Sequence, residues 1–360
     1  MNENKLQALL DGQIGKGGIH NIILGAQSAD GAVDFAGAAG IADPETGAAM
    51  TTDTPYFIAS ITKMYTATVI VQLHQEGLLN LDEAISKYLP ADLIEGIHVY
   101  RGTDYSREIK VYQLVNQTSG LADYFDDKPK GGKSLFDDLK AGQDRALDTG
   151  QMMDIVRGLT PKFPPGAKDG GKAHYADTNY QLLGAIIAAV TGKSVAENFQ
   201  ARIFAPLKLE HTYVNNLALE QSGQTPAAMY YKDQVLWPAR FLASNCPDGG
   251  MWATAADSLV FLRAFFDGKL FDGAYFERMM ERWNTVFSPI GYGYGLMRFK
   301  LPRIFSPFKA TPELVGHSGS TGSFAFHDRK TGLYLVGTVN QIATPGKPFR
   351  LMIKVTNMVA

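Results

Sequence analysis

The sequence contains one cysteine, Cys246, among its 360 residues. A single thiol excludes an internal disulfide and a metal site built from several thiolates. Its simplest role is that of a small apolar side chain in the loop before Gly249 and Gly250. The sequence also lacks the HExxH pattern of zinc proteases. We therefore expect a protein that needs neither a metal nor another cofactor.

A large excess of charge and a long apolar run are lacking as well. Lys and Arg number 34 against 36 Asp and Glu, for a formal net charge of -2. Without a basic face, nucleic acid is not an expected partner, and a small-molecule substrate is. No apolar run reaches the roughly 18 residues of a transmembrane segment.

The first residues, MNENKLQALLDGQIGKGG, lack the basic and apolar segments of a signal peptide. The expected location is therefore cytoplasmic, or the protein is exported and its signal peptide is missing from this sequence. The oligomeric state stays open.

Two common enzyme motifs are absent. The triplet from Gly192 to Ser194 has the ending of a phosphate-binding loop, but position 187 is Ile where that loop begins with Gly. No GxSxG sequence is present, which disfavours the α/β-hydrolase fold.

The patterns that are present indicate an α+β protein. Asp30 and Gly31 join IHNIILGAQS to AVDFAGAAG as an antiparallel hairpin. Strand patterns return at GYGYGLMRFK, GSFAFHDR and GLYLVGTVN, and PFRLMIKVTNMV is typical of a helix. These segments predict an antiparallel sheet flanked by helices, with an inserted and mostly helical lobe.

We interpret the chain, residues 1–360, as a single domain with two lobes. The α/β lobe would comprise about residues 1–80 and 285–360, and the helical lobe about 81–284. Residues 126–150 are rich in Lys, Asp and Gly and predict an exposed loop around a short helix, SLFDDLKAG. A solvated surface loop is the default interpretation, and a cap over a cleft is the alternative.

Ser60 and Lys63 lie at the start of an apolar helical pattern, PYFIASITKMYTATVIVQLHQEG, which should stop near Gly77. Residues three apart share a helix face, so the hydroxyl would lie beside the amine. An amine can activate serine only if burial or a neighbouring cation lowers its pKa. The apolar neighbours favour burial, although an SxxK sequence alone occurs by chance in many chains.

Two later segments also place candidate active-site residues at the start of a helix or strand pattern. AHYADTNYQLLGAIIAAVTG places Tyr175 and Asp177 at the head of a second helix, and LVGHSGSTGSFAF places His317, Ser318 and Gly319 at the start of a strand-like run. With the SxxK segment they resemble the SxxK, YxN and KTG or HTG motifs of the serine β-lactamase and penicillin-binding-protein superfamily.

The closest resemblance is to the class C β-lactamase-like branch, which includes D-alanyl-D-alanine carboxypeptidases, D-aminopeptidases and family VIII esterases. VYQLVNQTSGLADY, FPPGAK and DGGMWATAADSLVFLRAF are similar to further segments of that branch, and the resemblance spans Ile22 to Gln341. It implies a β-lactamase/transpeptidase-like fold in which three remote segments meet in a crevice. It also implies a hydrolase of small esters or D-amino-acid peptides.

The family's roles carry over to matching positions. Ser60 would be the nucleophile that forms an acyl-enzyme, and the backbone N–H groups of Ser60 and Ser320 would bind the oxyanion. Lys63 and Tyr175 would share proton transfer. Which of them is the resting base stays open, because strongly interacting groups titrate as a pair. The alternative for Tyr175 is a core tyrosine.

Two positions, His317 and Gln117, depart from the family pattern, and the first affects which substrates we expect. His317 stands where β-lactamases usually carry Lys, so a mostly neutral ring replaces a fixed cation for substrate carboxylates. We expect His317, Ser318, Gly319 and Ser320 to bind substrate, with esters turned over better than β-lactams. Gln117 stands where relatives often have His, which predicts a change in packing behind the site.

Asp177 replaces the more usual Asn of the second motif. A carboxylate near Lys63 would raise the pKa of the amine and oppose its use as a base. Asp177 therefore either points away or has its charge offset, and it is included among the candidate substrate-binding residues. An interaction with the dipole of its own helix is an equally open interpretation.

Two further functions remain as alternatives to an esterase or peptidase. One is a β-lactamase, and the other is a catalytically idle penicillin-binding or sensory module. The complete set of Ser60, Lys63 and Tyr175 favours an enzyme, because a binding module does not need all three.

Overall fold

The computed structural model describes residues 3–166, 171–215, 225–301 and 312–359. Its strands are β1 Asn21–Ser28, β2 Asp34–Asp43, β3 Ala48–Ala49, β4 Tyr56–Phe57, β5 Val99–Tyr100, β6 Thr103–Asp104, β7 Tyr213–Val214, β8 Tyr230–Tyr231, β9 Gln234–Val235, β10 Met251–Ala253, β11 Asn284–Phe287, β12 Ile290–Tyr292, β13 Met297–Lys300, β14 Glu313–Ser318, β15 Ser323–Asp328 and β16 Leu333–Thr338.

The α-helices are α1 Glu3–Asp11, α2 Thr62–Gln75, α3 Ala91–Ile94, α4 Val111–Val115, α5 Leu135–Lys140, α6 Thr149–Arg157, α7 Asp177–Thr191, α8 Val195–Phe199, α9 Ala205–Leu207, α10 Ala239–Leu242, α11 Ala255–Phe266, α12 Gly273–Glu281 and α13 Lys347–Val359. Single 3₁₀ turns span Ala59–Ile61 and Ile85–Lys87, and a π-helical turn spans Gln200–Phe204.

Nine of the described strands form one antiparallel sheet in the order β11-β12-β13-β14-β15-β16-β1-β2-β3. Ile23 of β1 lies opposite Thr338 of β16, so the first hairpin joins the last strands of the chain. This confirms the predicted antiparallel sheet. The pattern GYGYGLMRFK, however, does not form one strand. It divides between β12 and β13. Strand β11 was not predicted from the sequence.

The sheet has a hydrophobic cluster on each face. Side chains alternate along a strand, so Ile22 and Leu24 pack with helices α1 and α13, whereas Ile23 joins the cluster that contains α2 and α11. Every residue from 62 to 71 of α2 is buried. A helix buried on all sides is held rigidly, and the predicted nucleophile lies in the turn directly before it.

The helical segments between the two parts of the sheet follow the expected pattern in outline. Helix α2 ends at Gln75, and Gly77 has a φ of 73°, as predicted for a helix stop at glycine. Residues 126–150 contain the short helix α5, capped by Ser134. The division into lobes at about residues 80 and 285 stays a prediction.

No single described helix is long and apolar enough to cross a membrane. Helix α7 and the segment Val195–Leu207 meet that criterion only when taken together, and they are bent by 76° to each other.

Candidate active site

Ser60 lies in the 3₁₀ turn directly before α2. The preceding residue, Ala59, has a φ of 49°, a left-handed conformation that is uncommon for a residue with a Cβ atom. The Thr62 hydroxyl donates a hydrogen bond to the carbonyl oxygen of Ala59 at 2.7 Å. Backbone strain of this kind is often found at functional residues. Here the strained residue directly precedes Ser60, so it affects the direction in which the Ser60 side chain leaves the backbone.

Lys63 is fully buried on the first turn of α2. Its Nζ atom is 3.1 Å from Oγ of Ser60, 2.6 Å from the carbonyl oxygen of Asp248 and 2.6 Å from Oδ1 of Asp177. An ammonium group has three N–H donors and no acceptor. Three oxygen neighbours therefore suit Lys63 in its charged form.

The charge state of Lys63 depends on two opposing effects. Burial is the largest single effect and lowers the pKa of Lys63, but Asp177, Tyr175 and Asp248 together outweigh it, and the pKa lies above its ordinary value. The sequence left open whether Asp177 points away from Lys63, and the structure places it in contact. In the resting site, Lys63 is an ammonium ion.

Tyr175 lies just before α7, with its ring beside Lys63. The Lys63 Nζ atom is 5.0 Å from the centre of the ring. Burial raises the pKa of the Tyr175 hydroxyl, and nearby Lys63 and Ser60 oppose that rise only in part. The hydroxyl is buried and makes no well-aligned hydrogen bond to a described residue. The Tyr175 hydroxyl therefore lies where both Lys63 and Ser60 act on it.

Asp177 is the first residue of α7, and its backbone N–H donates to Oδ1 of Asp123 at 2.9 Å. The pKa of Asp123 lies well above its usual range because of burial and the charge of Asp177. The pKa of Asp126 is raised for the same two reasons. Carboxylates therefore crowd this side of the site, and Lys63 is the cation in direct contact with Asp177.

Asp248 is the site residue that sequence reasoning missed. Its carbonyl oxygen accepts from Lys63, and Oδ2 accepts from the Tyr124 hydroxyl at 2.7 Å and from Gln181 Nε2 at 3.0 Å. Burial, reinforced by Asp177, raises the pKa of Asp248 to about 7. The segment that begins at Asp248 resembles a family segment, but its sequence gives no sign that Asp248 contacts Lys63.

His317 lies at the end of β14 and has no exposed surface. Its Nδ1 atom is 2.8 Å from the carbonyl oxygen of Ser318, which can only accept, so Nδ1 carries the proton. Nε2 is 3.1 Å from the Tyr292 hydroxyl. Burial lowers the pKa of His317 to about 3, so the ring is neutral. The expected start of a strand at His317 is wrong, because β14 ends at Ser318.

The turn after β14 packs tightly against the nucleophile turn. A Cβ atom added to Gly319 would lie 2.1 Å from Oγ of Ser323 and 2.7 Å from the carbonyl oxygen of Ile58. The Ser323 hydroxyl donates to that same carbonyl at 2.8 Å. Glycine is therefore required at position 319, and the close contact brings Ser320 beside Ser60.

Gln117 supports the Tyr175 segment from behind. It is buried, and its Oε1 atom accepts from the backbone N–H of Ala176 at 3.0 Å and from the side chain of Asn179. This agrees with the packing role predicted for Gln117. His174, the neighbour of Tyr175, contacts Asp127 at 3.2 Å.

Two cavities meet at Ser60 and Ser320. We call the first the inner pocket. Its lining includes Ser60, Ser320, Asp177, Asp248, Phe125, Phe136, Leu139, Phe241 and Leu242. We call the second the outer groove, with a volume of about 720 Å³. Its lining includes Ser60, Ser320, Tyr175, Ser318, Arg350, Val286, Phe287, Met297, Phe299, Phe349 and Ile353. A carbonyl held at Ser60 would extend into both.

Comparison with known proteins agrees with this arrangement. The profile of the Beta-lactamase family matches residues 18–350. A putative D-alanyl-D-alanine carboxypeptidase of Escherichia coli is 26% identical over 328 residues, covering 82% of this chain and 71% of that protein. A teichoic acid D-alanine hydrolase of Staphylococcus aureus is 29% identical over 71% of this chain, and the match spans only 57% of that protein.

A solved structure of a D-stereospecific amidohydrolase from Streptomyces sp. superposes with a TM-score of 0.73 at 26% identity, covering 95% of both chains. The chain belongs to the β-lactamase family, and it is a serine hydrolase with the β-lactamase/transpeptidase-like fold.

Proposed function

We propose that this protein hydrolyses small esters and amides whose leaving group is apolar, through an acyl-enzyme on Ser60. One observation carries the proposal: Ser60 contacts Lys63 and lies where the inner pocket meets the outer groove. A substrate can therefore extend to both sides of the bond that breaks.

The position of Tyr175 indicates which part of the substrate enters each cavity. The leaving group must receive a proton as it departs, and Tyr175 lines the outer groove but not the inner pocket. The leaving group therefore occupies the outer groove, and the acyl group occupies the inner pocket. Backbone N–H groups of Ser60 and Ser320, at the junction, would bind the oxyanion.

The outer groove favours uncharged leaving groups. Arg350 is the charged residue among its described lining residues, and the rest of its wall is mostly apolar. His317 is buried and neutral, so it supplies no cation for a substrate carboxylate. These features support ester or amide hydrolysis over efficient β-lactam hydrolysis.

A carboxypeptidase is the second candidate, favoured by the exposed guanidinium of Arg350 at the outer groove. A cation there could contact the terminal carboxylate of a D-alanyl peptide. The relative in E. coli is named as a putative enzyme of that kind.

A substrate panel tests both candidates. Wild-type protein, Ser60→Ala and Arg350→Ala would each be given p-nitrophenyl butyrate, a D-alanyl-D-alanine peptide and a chromogenic cephalosporin. We expect the ester to have the highest kcat/KM, with no turnover by Ser60→Ala and little change in Arg350→Ala. Faster peptide turnover that Arg350→Ala abolishes would establish the carboxypeptidase instead. Hydrolysis retained by Ser60→Ala would refute both.

A further inference from the structure

We infer that the outer groove binds a long hydrocarbon chain on the leaving-group side of the substrate. The preferred substrates would then be esters that join a short acyl group to a long-chain alcohol. The inference rests on the proposed function and deepens it, because it names the class of alcohol that departs when the bond at Ser60 breaks.

The two cavities that meet at Ser60 differ greatly in size. The inner pocket has a volume of about 70 Å³, whereas the outer groove has a volume of about 720 Å³. Cavities of roughly 300–1,000 Å³ are typical of sites that hold a whole small molecule. The larger part of a substrate therefore has room only on the outer side of the ester bond.

The wall of the outer groove is suited to a hydrocarbon. Apart from Arg350, its described polar side chains are those of the active-site residues Ser60, Tyr175, Ser318 and Ser320, and the other residues are apolar. The hydroxyl or amide groups of a sugar or peptide would lose water against this wall without gaining hydrogen-bond partners. A hydrocarbon chain has no such groups to desolvate.

Arg350 is compatible with an apolar occupant. Its side chain is exposed, so the guanidinium can stay in water while the methylene groups of the side chain line the groove. No Asp, Glu or Lys belongs to the described lining. An uncharged chain in the groove would therefore leave no buried charge without a partner.

The apolar residues form a path that leads away from the nucleophile. Met297 lies at the active-site end, because its Sδ atom accepts a hydrogen bond from Ser318 Oγ at 3.3 Å. Phe299 is two residues further along β13, on the same face of the strand and about 7 Å away. The ring of Phe349 in α13 stacks on Phe299 with 4.6 Å between the ring centres. A chain on the leaving oxygen would pass Met297 and then contact these two rings.

Phe287 lines the groove and is the residue expected to strengthen the binding of long chains. With 64% of its surface exposed, it is the most exposed of the large apolar side chains in the described ranges. A bound chain would cover part of the ring and remove that apolar surface from water. Val260 on α11 is 44% exposed and lines neither cavity, so it provides a matched control.

The reaction of such an ester balances in protons and bonds. Either Lys63 or Tyr175 first gives a proton to solvent, and that group then accepts the proton of Ser60. The Ser60 oxygen bonds to the carbonyl carbon, the bond to the alcohol oxygen breaks, and the alcohol leaves through the outer groove with the transferred proton. Water then cleaves the ester on Ser60, which releases the short carboxylic acid and returns a proton to the serine oxygen.

The test compares hexyl acetate with ethyl hexanoate. The two esters are constitutional isomers, and they differ only in which side of the ester bond carries the long chain. Each is assayed below its solubility limit by titration of the released acid, and each kcat/KM is divided by the rate constant for alkaline hydrolysis of the same ester. This division removes the intrinsic difference in reactivity.

We expect hexyl acetate to have the higher corrected kcat/KM by about tenfold or more. Along ethyl, butyl and hexyl acetate, kcat/KM should rise about two- to fourfold per methylene group, because each is transferred from water to an apolar wall. Along ethyl acetate, butyrate and hexanoate it should stay level or fall. The ratio of hexyl to ethyl acetate should drop about threefold or more in Phe287→Ala and hold within about 1.5-fold in Val260→Ala.

Equal values for the two isomers, or faster turnover of ethyl hexanoate, would overturn the inference. So would a lack of turnover of both isomers by a protein that hydrolyses p-nitrophenyl butyrate, or equal drops in the two variants. Failure of the proposed function has a separate signature, which is hydrolysis of p-nitrophenyl butyrate by Ser60→Ala.

Discussion

Among single residues, Asp177 changes the chemistry expected of Lys63. With a carboxylate 2.6 Å away, burial alone does not produce a neutral amine. Tyr175 does not substitute as a resting base, because its own pKa is also raised by burial. The site therefore rests with both groups protonated, and one of them must lose a proton before it can accept the proton of Ser60.

His317 is a second residue whose environment decides its role. Both ring nitrogens have partners, and its ring lies 6.1 Å from that of Tyr175. It therefore joins the end of β14 to Tyr292 and packs near Tyr175. The unfolded chain binds a proton at His317 below about pH 6.5, whereas the folded protein does so only near pH 3. Between these values the unfolded state binds more protons, so stability is lost as pH falls.

This loss of stability at low pH gives a prediction for His317→Gln. The amide of glutamine can keep both hydrogen bonds, and it does not titrate. The advantage in free energy of unfolding of wild type over the variant should shrink as pH falls from 7 to 4, by up to about 1.4 kcal/mol per pH unit. Urea unfolding of both proteins across that range measures it. A constant difference would mean that His317 is not held neutral.

The sequence predicted local contacts within this site better than remote ones. The contact of Ser60 with Lys63 follows from a three-residue spacing at a helix start. The bond from Lys63 to Asp248 joins residues 185 positions apart and uses a backbone carbonyl, which no side-chain pattern reveals. The sequence grouped His317 with Ser318 as substrate-binding residues, but neighbouring strand residues point to opposite sides, and Ser318 is the one that lines the outer groove.

At the scale of elements, the active site depends on one turn packing against another. The turn between β14 and β15 is held to the segment before Ser60 by two hydroxyl groups. Thr321 donates to the carbonyl oxygen of Phe57 at 3.1 Å, and Ser323 donates to that of Ile58. These bonds join the sheet to the start of α2 and set the distance between Ser60 and Ser320.

Gly319→Ala tests this packing. The added Cβ atom must displace Ser323 or the nucleophile turn, because its closest distances, 2.1 and 2.7 Å, are far below van der Waals contact. We expect kcat/KM for p-nitrophenyl butyrate to fall at least tenfold, and the free energy of unfolding to fall by about 1–3 kcal/mol.

Gly273→Ala is the matched control, because a Cβ atom there would meet nothing within 4 Å. It should leave activity unchanged and preserve or slightly raise stability. Equal effects of the two substitutions would show that the close approach at Gly319 does not matter.

The sequence predicted some strands and helices correctly and missed others. The first hairpin, β1 and β2, has a clear turn, α13 has strong periodicity, and both occur as expected. Strand β11 has four residues, and its neighbour β12 has three. Such short strands depend on pairing across the sheet, so local sequence carries little signal for them.

For the whole molecule, the sheet and the helices supply different parts of one reaction centre. The end of β14, inside the sheet, and the turn after it present Ser318 and Ser320, helix α2 presents Lys63, and the start of α7 presents Tyr175 and Asp177. Sequence order separates these groups widely, and only the assembled fold creates two cavities on either side of Ser60. The family resemblance implied this convergence, but it did not indicate how the two cavities divide the substrate.

The central claim, a covalent acyl-enzyme on Ser60, has a direct measurement. Wild-type protein and Ser60→Ala would be mixed with p-nitrophenyl butyrate, quenched with acid during turnover and analysed by intact mass and peptide mapping. The account predicts a wild-type species heavier by the mass of one butyryl group, located on Ser60, and none in Ser60→Ala. An adduct on another residue, or turnover by Ser60→Ala, would contradict it.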